Sequence, residues 1–287
     1  MEKKIYDVLI LGGGVAGMTA AVYAKRAGKK VAIIEKFALG GQLSELGKIE
    51  NFPSQAQIDG MTLAEMFRKQ IKALEIEVIF DEIEDADIAG EMKVLNGKLG
   101  QYSAKSVIIA TGMGYKSANI GEEKFLGKGV SYCAVCDGNF FKGKIVGVLS
   151  KKGSGYKDAK YLSSLAKQVI MFDSEDMSIL AKNNSVKNIE IVSNAKVKSL
   201  VVDDVLKEIV LEKENVKLDG LFVCLGKKPG TSLFEGKLSL DKNGFVIVDE
   251  KMQSSVSGVY AVGDTRAGVL KQLVTACADG AIAGTMA

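Results

Sequence analysis

The sequence predicts an α/β protein with two Rossmann-like, three-layer nucleotide-binding domains. Three observations carry this expectation. Strand and helix patterns alternate along the chain, a second strand–turn–helix unit starts near the middle, and a glycine-rich loop joins the first strand to the first helix. A chain of 287 residues can bury two ordinary cores, and 47% hydrophobic with 25% charged residues is globular composition.

Taken in order, Ile5–Leu11 is an apolar run that reads as a buried strand. Val15–Ala27 follows as a helix that Gly28 stops, and Val31–Glu35 as the next strand. Met61–Leu74 has the spacing of an amphipathic helix, and Ser106–Ala110 is another buried strand. The pattern then restarts with strand Lys144–Leu149, helix Lys157–Lys167 and strand Gln168–Asp173. Asn188–Val192, Ala195–Val202, Glu208–Glu214 and Gly220–Cys224 read as strands with hairpin connections. Strand Gly258–Val262 and helix Val274–Met286 close the chain. With two Pro and no low-complexity tract, the domain joints must be short.

Composition excludes several chemistries. There is no His, which removes Ser-His-Asp and Cys-His triads, a His base and His-held haem or metal. The four Cys (133, 136, 224, 277) do not form paired knuckles, so no metal site is expected. A net charge of +3 is too mild to argue for nucleic acid. No stretch reaches a membrane span and the opening apolar run is too short for a signal peptide, so a soluble cytoplasmic protein is expected. Arginine occurs only at Arg26, Arg68 and Arg266.

Gly12-Gly13-Gly14-Val15-Ala16-Gly17 fits G-x-G-x-x-G, follows a strand, opens a helix, and is followed by acidic Glu35 at the end of the next strand. Gly12 suits a tight turn, Gly14 lets the backbone approach a pyrophosphate, and Gly17 lets helix and strand pack. Glu35 suits a ribose hydroxyl. Asp264, which ends a buried strand before a glycine-rich loop, reads as a ligand contact or a helix cap. Cys133-Ala134-Val135-Cys136 is a C-x-x-C, the spacing of a reversible disulfide. Without His, the adjacent Asp137 is the candidate proton donor and acceptor. Cys224 and Cys277 read as buried small residues.

These segments, with GGQL (Gly40–Leu43), ENFP (Glu50–Pro53), ATG (Ala110–Gly112), SYCAVCDG, GVYAVGD and KQLVTACADGAIA (Lys271–Ala283), occur in one order. Over nearly the whole chain they resemble the low-molecular-weight thioredoxin reductases. The resemblance implies a homodimeric flavoenzyme with a discontinuous FAD domain, 1–114 and 245–287, around a central C-x-x-C domain, 115–244. It implies that Cys136 faces the flavin, Cys133 attacks the thioredoxin disulfide and Asp137 is the acid/base. FAD contacts carry over to Gly12, Gly14, Ala16, Glu35, Gly41, Gln42, Asn51, Thr111, Gly112, Asp264, Gln272 and Leu273. The central domain is expected to rotate between two poses on hinges near Met113–Asn119 and Asp241–Gly244. Phe140 and Phe141 are candidates for thioredoxin docking as well as for the core.

The sequence departs from that family where NADPH would bind. Ser150 and Lys152 replace the first two glycines of the second fingerprint, and Gly155 takes its small third position. A side chain at the second position blocks backbone approach to a pyrophosphate. Phe172-Asp173-Ser174-Glu175-Asp176 stands where a basic cluster would hold the 2′-phosphate, and the central domain has no arginine. The sequence therefore resembles the branch that takes electrons from reduced ferredoxin, whose acidic surface lysines would attract. Two alternatives stay open: an NADH- or NADPH-dependent reductase with a degenerate site, in which Asp173 accepts from the NAD ribose, and an FAD redox sensor without turnover.

Overall fold

A computed structural model describes residues 4–212, 214–268 and 270–287. The chain forms two compact units, Met1–Gly114 with Lys228–Ala287, and Tyr115–Lys227. The return crossing lies at 227/228 rather than the expected 244/245. Phe234 and Leu238, which the expectation gave to the central domain, are buried with Val246 in the core of the first unit. The second hinge, expected at Asp241–Gly244, accordingly falls inside that unit.

The first unit is built on a seven-stranded sheet in the order Glu77–Phe80, Val31–Glu35, Ile5–Leu11, Gln101–Ile109, Lys93–Gly97, Ile83–Asp87, with Val259–Ala261 also paired to Gln101–Ile109. Parallel pairing joins Ile5–Leu11 to both neighbours, while the hairpin 83–97 runs antiparallel. Both faces of the central strands are covered, so these strands read as unbroken apolar runs. On one face Val8, Ile10, Ile33 and Ile108 pack with Met18, Ala20, Ala21 and Ala24 of helix Val15–Arg26 and Ala283 of helix Leu273–Met286. On the other, Leu9, Leu11, Ile34 and Ile109 meet Phe234, Leu238 and Val246.

The two helices approach closely through glycine. A Cβ on Gly280 would lie 2.3 Å from the Ala16 carbonyl oxygen, and one on Gly284 2.3 Å from that of Ala20. Tyr260 adds a hydroxyl bond to the Met286 carbonyl at 3.1 Å.

The second unit has a five-stranded parallel sheet in the order Val130–Ser131, Gly220–Val223, Ile145–Ser150, Gln168–Asp173, Ile189–Val192. Helix Tyr156–Ser163 covers one face through Ala159 and Leu162. A three-stranded antiparallel sheet, Val197–Val202, Leu206–Leu211 and Asn215–Lys217, covers the other through Leu206, Ile209 and Leu211. Both units are thus three-layered, as the alternation predicts.

Several boundaries differ from expectation. Ile189–Val192 and Gly220–Val223 pair in parallel rather than as hairpins, the latter buried along its whole length. The helix expected to reach Lys167 ends at Ser163, where the Ser163 and Ser164 hydroxyls bond the Lys160 and Tyr161 carbonyls at 2.8 and 2.7 Å. Lys213, inside the expected strand Glu208–Glu214, lies outside the described residues.

Candidate functional site

The glycine loop of the first unit is a helix N-terminus with no side-chain cap. Gly12 sits at φ +109, and a Cβ there would lie 2.4 Å from the Ala110 carbonyl oxygen. Gly17 is required for packing, since its Cβ would meet the Gly12 carbonyl oxygen at 2.0 Å. Gly14 is different: among the described residues nothing lies within 4 Å of a Cβ built there. The backbone is therefore bare at the position where a pyrophosphate would approach, and the dipole end of the helix faces it.

Glu35 closes one side of this loop. Its Oε2 accepts the Gly13 N–H at 2.7 Å and its Oε1 accepts the Phe37 N–H at 2.9 Å. It keeps partial exposure, so a ribose hydroxyl could still reach it. The next loop is tied in by the Gly40 N–H to the Gly13 carbonyl at 2.8 Å. Arg68 braces it through the Leu39 carbonyl at 2.8 Å and the Ser44 hydroxyl at 3.1 Å. Gly41, at φ +51, would place a Cβ 3.4 Å from Gly14 Cα.

The remaining expected contacts fall into the same unit as linked groups. Gln42 donates to the Met113 carbonyl at 3.1 Å. The Thr111 hydroxyl donates to the Gly230 carbonyl at 2.7 Å, and the Gly112 N–H donates to the Thr265 hydroxyl at 2.6 Å. Asn51 donates to the Gln272 side chain at 3.0 Å, next to Leu273 at the start of the last helix. A cavity of about 480 Å³ is bounded by residues 50–56. Gly263 packs on Ala16, where its Cβ would stand 2.9 Å from that of Ala16, and this brings Asp264 to the N-terminal end of the first helix.

Sequence reasoning missed what holds Asp264 there. Arg266 makes a two-pronged bond to buried Asp279, Nε to Oδ2 and Nη2 to Oδ1, both at 2.7 Å. Asp279 Oδ2 also accepts the Gly263 N–H at 3.0 Å. Lys271 reaches the Asp264 carbonyl at 3.3 Å and lies 4.4 Å from the Phe245 ring centre; burial pushes its ammonium below the ordinary lysine value. The scarcity of arginine was the available signal, because two of the three arginines brace these loops.

In the second unit Cys133 and Cys136 form a disulfide with Cα atoms 5.3 Å apart. Cys133 precedes the short helix Ala134–Asp137, and its sulfur accepts the Cys136 N–H at 3.2 Å. Cys136 is exposed and Cys133 half-buried. Ser131, 5% exposed, donates its hydroxyl to Asp137 Oδ2 at 2.6 Å. Fully buried Glu122 accepts the Tyr132 hydroxyl at 3.0 Å, the Ser117 hydroxyl at 2.9 Å and the Ile120 N–H at 3.1 Å. Burial alone would raise Glu122, but the Ala118, Ile120 and Ser117 donors outweigh it and hold the carboxyl below its ordinary value. Burial, then this carboxylate, pushes the Tyr132 phenol upward. Tyr132 also stacks on Tyr115, ring centres 5.4 Å apart. Ser131 opens the SYCAVCDG segment, but nothing in the sequence marks its bond to Asp137, and no pattern marks Glu122.

Phe140 is 74% exposed, whereas Phe141 packs edge-on against Phe222 at 5.3 Å. Both border a cavity of about 540 Å³ with Lys144, Lys207 and Lys217. Burial raises the Cys224 thiol out of the reactive range, and Cys277 is likewise raised by burial.

The second fingerprint loop is closed on itself. Asp173 is 0% exposed; its Oδ1 accepts the Lys152 and Glu175 N–H groups, both at 3.0 Å, and its Oδ2 accepts the Gly153 N–H at 2.8 Å. Ser150 adds a bond to the same carboxylate, and its oxygen accepts the Gly155 N–H at 3.0 Å. Burial would raise Asp173, but the Gly153, Ser150, Glu175 and Lys152 donors outweigh it and hold the carboxyl below its ordinary value. Lys152 sits at φ +54, a conformation that costs a non-glycine residue about 1 kcal/mol or more. Its N–H bond to Asp173 holds it there.

The residues present fit FAD: a bare glycine backbone at an uncapped helix N-terminus, an acidic residue beside it, and Asp264 nearby, its loop held by the part-buried Arg266–Asp279 ion pair. Comparison with known proteins agrees. Residues 6–280 match the family described as pyridine nucleotide-disulphide oxidoreductase. A thioredoxin reductase of Peptoclostridium acidaminophilum is 37% identical, over 99% of this chain and 96% of that protein. The crystal structure of Lactococcus lactis thioredoxin reductase superposes with a TM-score of 0.73 at 29% identity, covering 98% of this chain and 97% of that one. A ferredoxin-flavin thioredoxin reductase from Clostridium acetobutylicum gives 0.57 at 30% identity, covering 98% and 95%. The chain therefore belongs to the pyridine nucleotide-disulphide oxidoreductase family and is one of its FAD-binding flavoproteins.

Proposed function

We propose that this protein is a thioredoxin-disulfide reductase that draws its electrons from reduced ferredoxin and not from a pyridine nucleotide. The observation that carries the choice of donor is Asp173. A dinucleotide site needs free N–H groups in its glycine loop and an acidic side chain within reach of the ribose. Here the Lys152 and Gly153 N–H groups are bonded to Asp173, and Asp173 is fully buried with both oxygens occupied. Glu35 in the first unit makes the useful contrast: its oxygens also accept backbone N–H groups, but only Gly13 of the glycine loop is among them, and the side chain remains partly exposed. The Clostridium acetobutylicum neighbour lends further support to ferredoxin as donor.

FAD, when bound, supplies a carrier that can accept electrons singly and deliver them as a pair. Gly12, Gly14, Ala16, Glu35, Gly41, Gln42, Asn51, Thr111, Gly112, Asp264, Gln272 and Leu273 would hold it. Two reduced ferredoxins provide two electrons; with two protons, the Cys133–Cys136 disulfide becomes a dithiol. Cys133 attacks the thioredoxin disulfide as a thiolate, Cys136 resolves the mixed disulfide, and the enzyme disulfide is restored while thioredoxin gains both electrons and both protons. Cys136 is the sulfur that receives electrons from the flavin side. Asp137, adjacent to it, takes the proton from the thiol that ionises and returns it to the departing sulfur. The working form is a homodimer.

An anaerobic donor screen tests the reading. Reduced ferredoxin is expected to bleach the flavin and drive thioredoxin reduction, whereas NADPH and NADH leave it oxidised. Rapid bleaching by either nucleotide, with ferredoxin inert, would overturn it in favour of a degenerate pyridine-nucleotide enzyme. A Cys136→Ser protein with undiminished thioredoxin reduction would remove the dithiol from the reaction.

A further inference from the structure

We propose that Ser131 is a hydroxyl rotor that follows the proton on Asp137, a positioning residue for the dithiol chemistry. The inference rests on the reading of Asp137 as the acid/base. Three contacts converge on one oxygen. Ser131 Oγ accepts the Cys133 N–H at 3.0 Å, which fixes one lone pair. Its hydrogen has two acceptors within reach, Asp137 Oδ2 at 2.6 Å and the Cys133 carbonyl at 3.3 Å. A hydroxyl has one donor and two acceptor sites, so only one of these bonds is made at a time.

The choice is set by where the proton is. While Asp137 is a carboxylate it can only accept, and Ser131 donates to it. Once Asp137 has taken a proton from a thiol, its O–H becomes a donor and points to the free lone pair of Ser131 Oγ. The Ser131 hydrogen then turns to the Cys133 carbonyl. That carbonyl already accepts the Asp137 N–H at 3.2 Å and has a lone pair left. No bond is lost in either state, and the proton count is unchanged: one proton moves from sulfur to Asp137, and one hydroxyl hydrogen changes acceptor.

Burial makes the rotor matter. Ser131 is 5% exposed, so water is a poor substitute for its hydroxyl. Its place at the end of strand Val130–Ser131, paired to Phe222 of the parallel sheet, holds the oxygen still while the hydrogen turns. The residue couples the protonation of Asp137 to the backbone on both sides of Cys133.

The test is a double-mutant cycle on the full-length FAD-loaded enzyme, reduced in advance with dithionite so that the physiological donor is not involved. The reduced protein is mixed with oxidised thioredoxin, quenched in acid, and the thioredoxin thiols are alkylated and counted. Ser131→Ala is expected to slow this single turnover about tenfold or more, from loss of a bond to a charged group. Ser131→Thr, which keeps the hydroxyl, should stay within about threefold of wild type. Asp137→Asn should slow the reaction, and adding Ser131→Ala to it should slow it no further, because the rotor acts only through Asp137. Rate losses that multiply, or a folded Ser131→Ala protein with the wild-type rate, would overturn the rotor.

A measurement on the wild type guards against misfolding of the variants. The rate in mixtures of light and heavy water is expected to curve with deuterium fraction, because two hydrogens move together; a straight line overturns the proposal. Wild-type protein that does not reduce thioredoxin at all would instead overturn the functional reading beneath it.

Discussion

Replacing Asp173 by Ala separates a structural plug from a ligand-binding carboxylate. In the structure three backbone N–H groups, from Lys152, Gly153 and Glu175, and the Ser150 hydroxyl bond to this side chain. A buried donor left without an acceptor costs about 1–3 kcal/mol, and the lower end applies here because the Lys152, Gly153 and Glu175 bonds are only partly buried. Water entering the space left by the carboxylate recovers part of that, and relaxation of the left-handed Lys152 returns about 1 kcal/mol. A net loss of roughly 2–3 kcal/mol follows from the lower end of this range. For a unit of this size that is a fall of about 10 °C or more in its thermal midpoint. The assay is thermal unfolding by circular dichroism, with amide hydrogen exchange at Lys152 and Gly153 as the local readout. Both amides should lose protection. A carboxylate poised for a ribose hydroxyl would behave differently, since its removal leaves stability nearly unchanged. A variant within about 0.5 kcal/mol of wild type, with protection intact, would therefore refute the argument and return NADH to consideration.

Two further outcomes follow from close packing and from charge. Gly280→Ala gains about 1 kcal/mol of helix propensity, yet its Cβ lies 2.3 Å from the Ala16 carbonyl oxygen, and such overpacking costs about 1–3 kcal/mol. A net loss of stability together with weaker FAD retention on gel filtration is expected, because Ala16 lies on the FAD loop; a more stable variant would mean that the helices do not touch there. Glu122 is held below its ordinary value of 4.5 in the folded state, so its stabilisation is complete above that pH and is lost as the pH falls through the lower folded value. Thermal midpoints measured from neutral to acid pH should fall less steeply below 4.5 for Glu122→Gln than for wild type, and parallel curves would show that the carboxylate is not linked to folding.

Much of this was legible in the chain. Apolar runs and a strand–glycine–helix passage define Ile5–Leu11, Val15–Arg26 and Val31–Glu35 to within a residue, because both sheet faces are buried and the pattern has no solvent-facing half. The hairpin 83–97 carries I-E-D-A-D, whose exposed charges hide the strand, and helix Ser178–Asn183 buries nothing and has no capping side chain. The return crossing is hard to read from the chain because Gly244 resembles a joint while Phe234 and Leu238, before it, already belong to the first core.

The site shows the same division. The C-x-x-C-Asp and the glycine loop are local motifs and can be read directly. Asp173 could be read as a charge hostile to a 2′-phosphate or as an acceptor for an NAD ribose; that it consumes the loop donors depends on strand Gln168–Asp173 ending beside strand Ile145–Ser150. Ser131, Arg266 and Asp279 act through partners that the fold supplies, so their roles needed coordinates.

The split of the first unit into Met1–Gly114 and Lys228–Ala287 has a consequence during synthesis. Once residue 227 has emerged from the ribosome, every residue of the second unit is free and that unit can fold. The first unit still lacks strand Val259–Ala261 and the helix bearing Gly280 and Gly284. At about 5–20 residues per second, its amino-terminal half must wait several seconds with the face that receives that helix uncovered. The redox dithiol is thus made before the flavin can be seated, and a chain interrupted late would carry the reactive cysteines without the cofactor that governs them.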